Sequence, residues 1–65
     1  MTPDEYLSEV RNTLHLTHSG PGNVWRDPDG HPHHVPDPYK LKFDERRGIL
    51  NDIRASLGLP PQEAN

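Results

Sequence analysis

The chain contains no cysteine, few aromatic residues and no long apolar run. Without Cys it forms no disulfide, has no thiol chemistry and offers none of the Cys-based zinc sites. No apolar run approaches the ~20 residues that a membrane-spanning helix needs. The acidic start, MTPDEYLSEV, also lacks the basic and apolar regions of a signal peptide. We therefore expect a cytoplasmic protein that does not enter a membrane.

Apolar residues are scarce as well, at 29% of the 65 positions. A domain of this length buries only about 60% of the surface of its unfolded chain, so its core is small. Small domains compensate with disulfides, a metal or a partner, and the first of these is excluded here. We expect one small helical domain over residues 1–59 and a disordered tail over 60–65. A protein partner or a homo-oligomer would complete the core.

The first residues carry a clear helix-start signal. Thr2 followed by Glu5 forms a capping box, and Pro3 occupies the first helical position, where proline is favoured. Apolar side chains then recur at helical spacing in a stripe of Tyr6, Leu7, Val10 and Leu14. Gly20 followed by Pro21 is a typical helix ending. The pattern predicts a helix over about 3–16.

The last third of the chain predicts a second helix. A stripe of apolar residues, Phe43, Leu50, Ile53 and Leu57, recurs at helical spacing. Asp44 is a candidate N-cap, and Gly58 followed by Leu59 indicates a Schellman ending. The alternation of apolar and basic residues in YKLKF is also typical of a strand. We favour a helix over about 39–57 and leave the state of 39–43 open.

Between the two helices lies a connector rich in Pro and His, residues 17–37. The turn motif DPDG at 27–30 has Pro second and Gly fourth, as a tight turn prefers. A short β-hairpin at 23–34 is therefore an alternative for this part of the loop, although Pro32 would restrict it to an edge. The fold class expected from the sequence is mainly α, a two-helix hairpin with a long irregular connecting loop.

Catalysis finds no support in the sequence motifs. The chain has no G-x-S-x-G or H-E-x-x-H motif and no glycine-rich loop for phosphate. We accordingly expect a protein that is not an enzyme and has no cofactor. The expected function is a small non-catalytic protein-binding module, a regulator or accessory subunit that acts through its apolar helix stripes and its Trp-containing loop.

Trp25 is the key residue of that loop, because it is the only Trp and stands among Gly, Pro and Asp. Two interpretations are open: Trp25 covers the helices as part of the core, or it anchors a partner, since Trp and Arg are common at binding hot spots. The residues that we expect to bind a partner are Trp25, Arg26, Tyr39, Phe43, Arg46 and Arg47.

Two alternative functions remain. His15, His18, His31 and His33 have spacings that zinc sites use, and a metal would add stability to a small core. The absence of Cys and the neighbouring prolines argue against this site, so we predict no metal. The basic cluster at 40–47 allows a small nucleic-acid-binding regulator. With 7 basic and 10 acidic residues, the chain lacks the excess of positive charge that favours binding to a nucleic acid, so we do not expect a nucleic-acid partner.

Overall fold

The computed structural model describes residues 1–62 of the chain. Helix α1 spans Pro3–Ser8 and continues as a π-helical segment over Glu9–Thr13. Three short strands follow: β1 (Thr17–His18), β2 (Val24–Arg26) and β3 (Pro32–His34). A 3-10 turn over Pro38–Lys40 leads into helix α2 (Phe43–Ser56). None of the helices within residues 1–62 is long and apolar enough to cross a membrane.

The prediction of a two-helix hairpin is wrong. About 45% of the described residues are helical and 13% are in strands, so the fold is a small mixed α/β arrangement. The three strands form one antiparallel sheet in the order β1-β2-β3. The hairpin of β2 and β3 lies within the 23–34 segment. From the sequence this hairpin was only an alternative, because Pro32 would restrict it to an edge. Its third strand, Thr17–His18, lies in the segment that the sequence assigned to the loop.

Pro32 is accommodated in the sheet by the register of its strand. Antiparallel ladders alternate hydrogen-bonded and non-hydrogen-bonded pairs. The Asp27 amide donates to the His31 carbonyl and the Val35 amide donates to the Asn23 carbonyl, on either side of β3. Pro32, opposite Arg26, therefore falls at a non-hydrogen-bonded position of an edge strand. The missing N–H of Pro32 therefore removes no hydrogen bond from the sheet.

The helix ends show which local signals are reliable. Thr2 and Glu5 form the predicted capping box, with bonds of 3.1 and 2.7 Å, and this prediction is confirmed. The end of the first helix differs from the expectation, because His15 takes the left-handed conformation (φ 58°) well before Gly20. The Leu16 amide then donates to the Val10 carbonyl, closing the wide last turn.

Helix α2 begins later and ends as expected. Leu41 is extended and Lys42 is the N-cap, with the Glu45 carboxylate accepting a hydrogen bond from the Lys42 amide at 2.7 Å. Asp44 is therefore inside the helix. At the other end Gly58 has φ 76° and the Leu59 amide donates to the Arg54 carbonyl, which confirms the Schellman ending.

The core lies between the helices and the sheet. It consists of eight buried residues, Tyr6, Val10, Leu14, Leu16, Trp25, Val35, Leu50 and Ile53. The Tyr6 hydroxyl donates to the Pro36 carbonyl at 2.9 Å and so joins α1 to the chain that follows the sheet. Except for the exposed Phe43, both helix stripes pack within the fold. Leu16, Trp25 and Val35, in the sheet or next to its strands, supply the partner surface that we expected from a second chain.

The structure describes only the first part of the predicted tail, residues 60–62. The Asn51 side chain exchanges two hydrogen bonds of 2.9 Å with the Gln62 backbone, and Arg54 Nε donates to the Pro60 carbonyl at 2.8 Å. Residues 60–62 therefore fold back along α2. The rest of the predicted tail, residues 63–65, lies outside the described part of the chain.

Candidate functional site

Trp25 lies in the core, with 6% of its surface exposed. It is the central residue of β2, whose two outer residues point to the solvent. The His18 ring stacks on the indole at a centroid distance of 5.0 Å and an angle of 16°, and the Arg11 guanidinium carbon lies 5.5 Å from the indole centroid. Of the two interpretations for Trp25, the structure therefore places it as a core residue.

Arg46 was expected at the partner surface but is buried. Its guanidinium donates three hydrogen bonds of 2.9 Å, to the carbonyls of Met1, Pro38 and Leu41. Helical spacing explains the position, because Arg46 precedes Leu50 by four residues and Ile53 by seven and so lies on the buried face of α2. From the sequence we expected Phe43 on that face, but Phe43 is exposed and Arg46 is buried there.

Arg47 and Arg26 also make contacts within the chain. Arg47 Nη1 lies 3.0 and 3.2 Å from the two carboxylate oxygens of Glu9, on the π-helical segment. Arg54 Nη1 lies 3.6 Å from the same carboxylate. Arg26 is exposed, but its Nη1 donates to the Gly30 carbonyl at 2.7 Å and closes the DPDG turn. Of the basic cluster at 40–47, only Lys40 and Lys42 are left facing the solvent.

Tyr39 and Phe43 remain as large exposed rings, with 72% and 57% of their surface accessible. They belong to residues 39–45, which we call the aromatic segment. All of its residues except the half-buried Leu41 are exposed. Exposed large aromatic side chains are costly to leave in water and are enriched where proteins bind one another.

The aromatic segment is held in one conformation from both ends and from beneath. The Asp37 carboxylate accepts a hydrogen bond from the Tyr39 amide at 2.9 Å, and Glu45 caps α2 through Lys42. Arg46 binds the Pro38 and Leu41 carbonyls from the protein interior. A surface that is ordered before binding loses less conformational entropy when a partner docks. The two rings are therefore presented on a prepared surface.

A second cluster of polar side chains joins the sheet to α2. The Asp27 carboxylate accepts hydrogen bonds of 2.9 Å from the amides of Asp29 and His31. His33 Nε2 lies 2.8 Å from Asp27 Oδ2, and His33 Nδ1 lies 3.3 Å from the Ser56 hydroxyl. The hydrogen bond from His33 is the main reason why the pKa of Asp27 is lowered, and the two backbone amides lower it further.

The order Asp27–His33–Ser56 is that of a hydrolase triad, but the surroundings of Ser56 do not suit that chemistry. The Ser56 hydroxyl lies 2.8 Å from the Ile53 carbonyl and donates to it. Ser56 is also the last residue of α2, where the helix dipole is negative. A tetrahedral intermediate needs N–H donors directed at its oxyanion. At this helix end the Leu57, Gly58 and Leu59 amides are already bonded to carbonyls of the last turn.

A shallow cavity of about 280 Å³ adjoins this cluster; its lining is formed by His33, His34, Pro36, Ile49, Asp52, Ile53 and Ser56. The cluster itself joins three parts of the chain, the DPDG turn, β3 and the end of α2. The arrangement is therefore that of a structural link that fixes the hairpin against the helix.

The four histidines of the metal alternative are spread over the fold. His18 stacks on Trp25, His33 binds Asp27, and the His31 side chain is 77% exposed. Within residues 1–62, no three His, Asp or Glu side chains come together as ligands for an ion. The spacing along the chain suggested a common site because it did not show that His18 stacks on the Trp25 ring while His33 binds the Asp27 carboxylate, contacts that depend on how the strands pair.

The link between Asp27 and His33 was not predicted from the sequence, although the position of Asp27 at the start of a turn was recognised. Asp at the first position of a turn commonly accepts hydrogen bonds from the amides that follow it, and DPDG was identified as a turn. The choice of His33 as its partner depends on the register of β2 and β3, which the sequence left open.

Comparisons with protein families, curated proteins and solved structures found no match for this chain.

Proposed function

We propose that this protein is a non-catalytic protein-binding module, a regulator or accessory subunit of the cytoplasm, and that it binds through the aromatic segment. The observation that carries the proposal is the exposure of Tyr39 and Phe43, at 72% and 57%, well above the 39% and 40% of Val24 and Leu59. The binding surface is smaller than the expected one, because Trp25 and the helix stripes other than Phe43 are used within the fold.

Three contacts favour the aromatic segment over the other exposed surfaces. Arg46 and the caps at Asp37 and Glu45 fix its backbone, so its rings are displayed without the entropy cost of ordering a loop. The nucleic-acid alternative loses two of the four basic residues in its cluster, because Arg46 and Arg47 donate hydrogen bonds within the protein. Two lysines provide little counterion release on a nucleic acid.

Site-specific photo-crosslinking tests the proposal. A photoreactive phenylalanine analogue is placed at position 43 in one variant and at Ala55, which is exposed on α2, in the control. Each variant is irradiated in an extract of the cells that produce the protein, and crosslinked chains are identified by mass spectrometry. We expect a defined protein adduct from position 43 and none from position 55. Equal, diffuse labelling from both positions would contradict the proposal.

A further inference from the structure

We infer that the partner of the aromatic segment is a second copy of this chain, docked across a two-fold axis that passes close to Phe43. The inference rests on the proposed function, since it names the occupant of the same surface. It goes beyond it by specifying which side chains meet and by predicting a self-complementary pattern of charge.

The charges of the aromatic segment change sign at Phe43. Lys40 and Lys42 precede the ring, and Asp44 and Glu45 follow it. All four charged residues are exposed. The segment is therefore nearly neutral as a whole but basic at one end and acidic at the other. Such a pattern offers no net attraction to a uniformly acidic or basic partner.

A two-fold axis converts this pattern into attraction. In an isologous interface the same patch meets itself in the opposite direction. The basic end of one segment then faces the acidic end of the other, which brings Lys40 and Lys42 of one copy towards Asp44 and Glu45 of the second copy. The Phe43 rings lie near the axis and Tyr39 at the flanks. Both exposed aromatic rings of each chain lose water in the same contact.

The charged side chains are free to make these contacts. Among residues 1–62, the lysines of the aromatic segment take part in no ion pair, and neither does Asp44; the ion pairs involve Asp27 and Glu9. Glu45 accepts a hydrogen bond from the Lys42 amide, which leaves its second oxygen for a lysine. The core of each chain is already closed around Tyr6 and Leu50, both fully buried. Two folded monomers therefore associate without unfolding.

The experiment measures association of the full chain by sedimentation velocity and native mass spectrometry, from micromolar to millimolar concentration. The wild type should reach twice the mass of one chain. F43S should weaken the dimer by about tenfold or more, because it removes the central ring. Far-UV circular dichroism shows that each variant keeps its helicity.

Charge reversal tests the proposed register. K40D/K42D makes the segment acidic throughout, and D44K makes it basic except at Glu45, which is retained as the helix cap. K40D/K42D alone should be monomeric, since like charges then face each other across the axis. D44K alone should dimerise more weakly than the wild type, because only Glu45 is left to attract the lysines. Mixed together, the two variants should form a one-to-one heterodimer. D29K, which reverses a charge on the exposed DPDG turn, is the matched control and should dimerise like the wild type.

The outcomes separate this inference from the proposed function. A wild type that stays monomeric at millimolar concentration overturns the inference, as does a dimer that K40D/K42D and D44K leave unchanged. If position 43 crosslinks to a different protein and never to a second copy, the inference fails while the proposed function stands. If position 43 crosslinks to nothing, the protein-binding function itself is lost.

Discussion

The sheet region, residues 23–37, and the aromatic segment, residues 39–45, follow each other along the chain and treat their aromatic residues in opposite ways. The sheet region is rich in Pro, Gly, Asp and His, yet it buries Trp25. The aromatic segment has the apolar alternation of a core element, yet it exposes Tyr39 and Phe43. The difference shows that burial depends on which surface lies opposite a side chain, and local composition is a poor guide to that in so small a protein.

The largest expected effect comes from removing the aromatic ring of Trp25, compared with removing that of Phe43. Trp25→Ala should reduce the free energy of unfolding by about 3–5 kcal/mol, the usual range for emptying a large aromatic site. In a domain of this size such a loss leaves little folded protein. Phe43→Ala should change the stability of the monomer by less than about 0.5 kcal/mol, as for other surface positions. Urea unfolding followed by far-UV circular dichroism measures both, and similar losses would remove the contrast between the regions.

A second test concerns the basic residues around the aromatic segment. Arg46→Met keeps much of the side-chain volume but leaves the carbonyls of Met1, Pro38 and Leu41 without their donor. We expect a loss of about 2–4 kcal/mol, because buried groups are left unsatisfied. Lys40→Met, at an exposed position, should have almost no effect on unfolding. An equal effect of the two substitutions in urea unfolding would mean that Arg46 is not the internal support described above.

The third test uses alkaline pH to loosen the joint between α1 and the end of the sheet region. Burial is the main cause that raises the pKa of Tyr6 to about 12, and the charge of Asp37 adds to it while that of Arg46 opposes it. The folded state therefore favours the protonated phenol. The resulting stability is complete below about pH 10, the value of an unfolded tyrosine, and is lost as the pH rises towards about 12.

We expect this loss to be of the order of 2 kcal/mol, since each pKa unit corresponds to about 1.4 kcal/mol. Thermal melts between neutral and strongly alkaline pH measure it. Tyr6→Phe should flatten the dependence over this range, at the cost of the hydrogen bond to the Pro36 carbonyl. Tyr39→Phe removes an exposed hydroxyl and serves as the control. A wild-type stability that does not fall above pH 10 would contradict the prediction.

The smallest expected effect appears at acidic pH, in the link between the hairpin and α2. Because His33 and two amides lower the pKa of Asp27, the folded state favours the carboxylate. Its contribution to stability is present above the unfolded value of about 4 and disappears as the pH falls through the lower folded value. The melting temperature should therefore drop in this acidic range. Asp27→Asn should make that drop shallower, whereas Asp29→Asn, on the exposed turn, should leave it unchanged.

The sequence predicted the local signals well where the chain itself supplies both partners. The capping box joins Thr2 to Glu5 and the Schellman ending uses Gly58, so each device is complete within a few residues. The fold class was wrong because it depended on a distant pairing. Thr17–His18 has no strong strand pattern of its own and becomes a strand only through its register with Trp25 and Arg26.

At the candidate site, too, the sequence identified residue types but not the long-range contacts that decide which of them are exposed. Six residues were predicted at a partner surface, and Tyr39 and Phe43 are the exposed aromatic rings among them. The spacing of Arg46 from Leu50 and Ile53 was a signal that it lies on the buried face of a helix, but the sequence could not show which groups would accept its hydrogen bonds there. They are three carbonyls, from Met1, Pro38 and Leu41, that the folded chain brings to one guanidinium.

By itself the sequence determined the existence of both helices, the capping box that begins the first, the Schellman ending of the second, the turn at DPDG and the absence of disulfides. These features depend on contacts between residues a few positions apart, so the free energy that stabilises them comes from the local sequence. Only the tertiary structure decided that Leu16, Trp25 and Val35 complete the core against the helices, and that Phe43 alone of the helix stripes faces outward. Those outcomes depend on which surfaces meet across the whole chain, because the free energy of burying a side chain is gained only where an opposing surface excludes water.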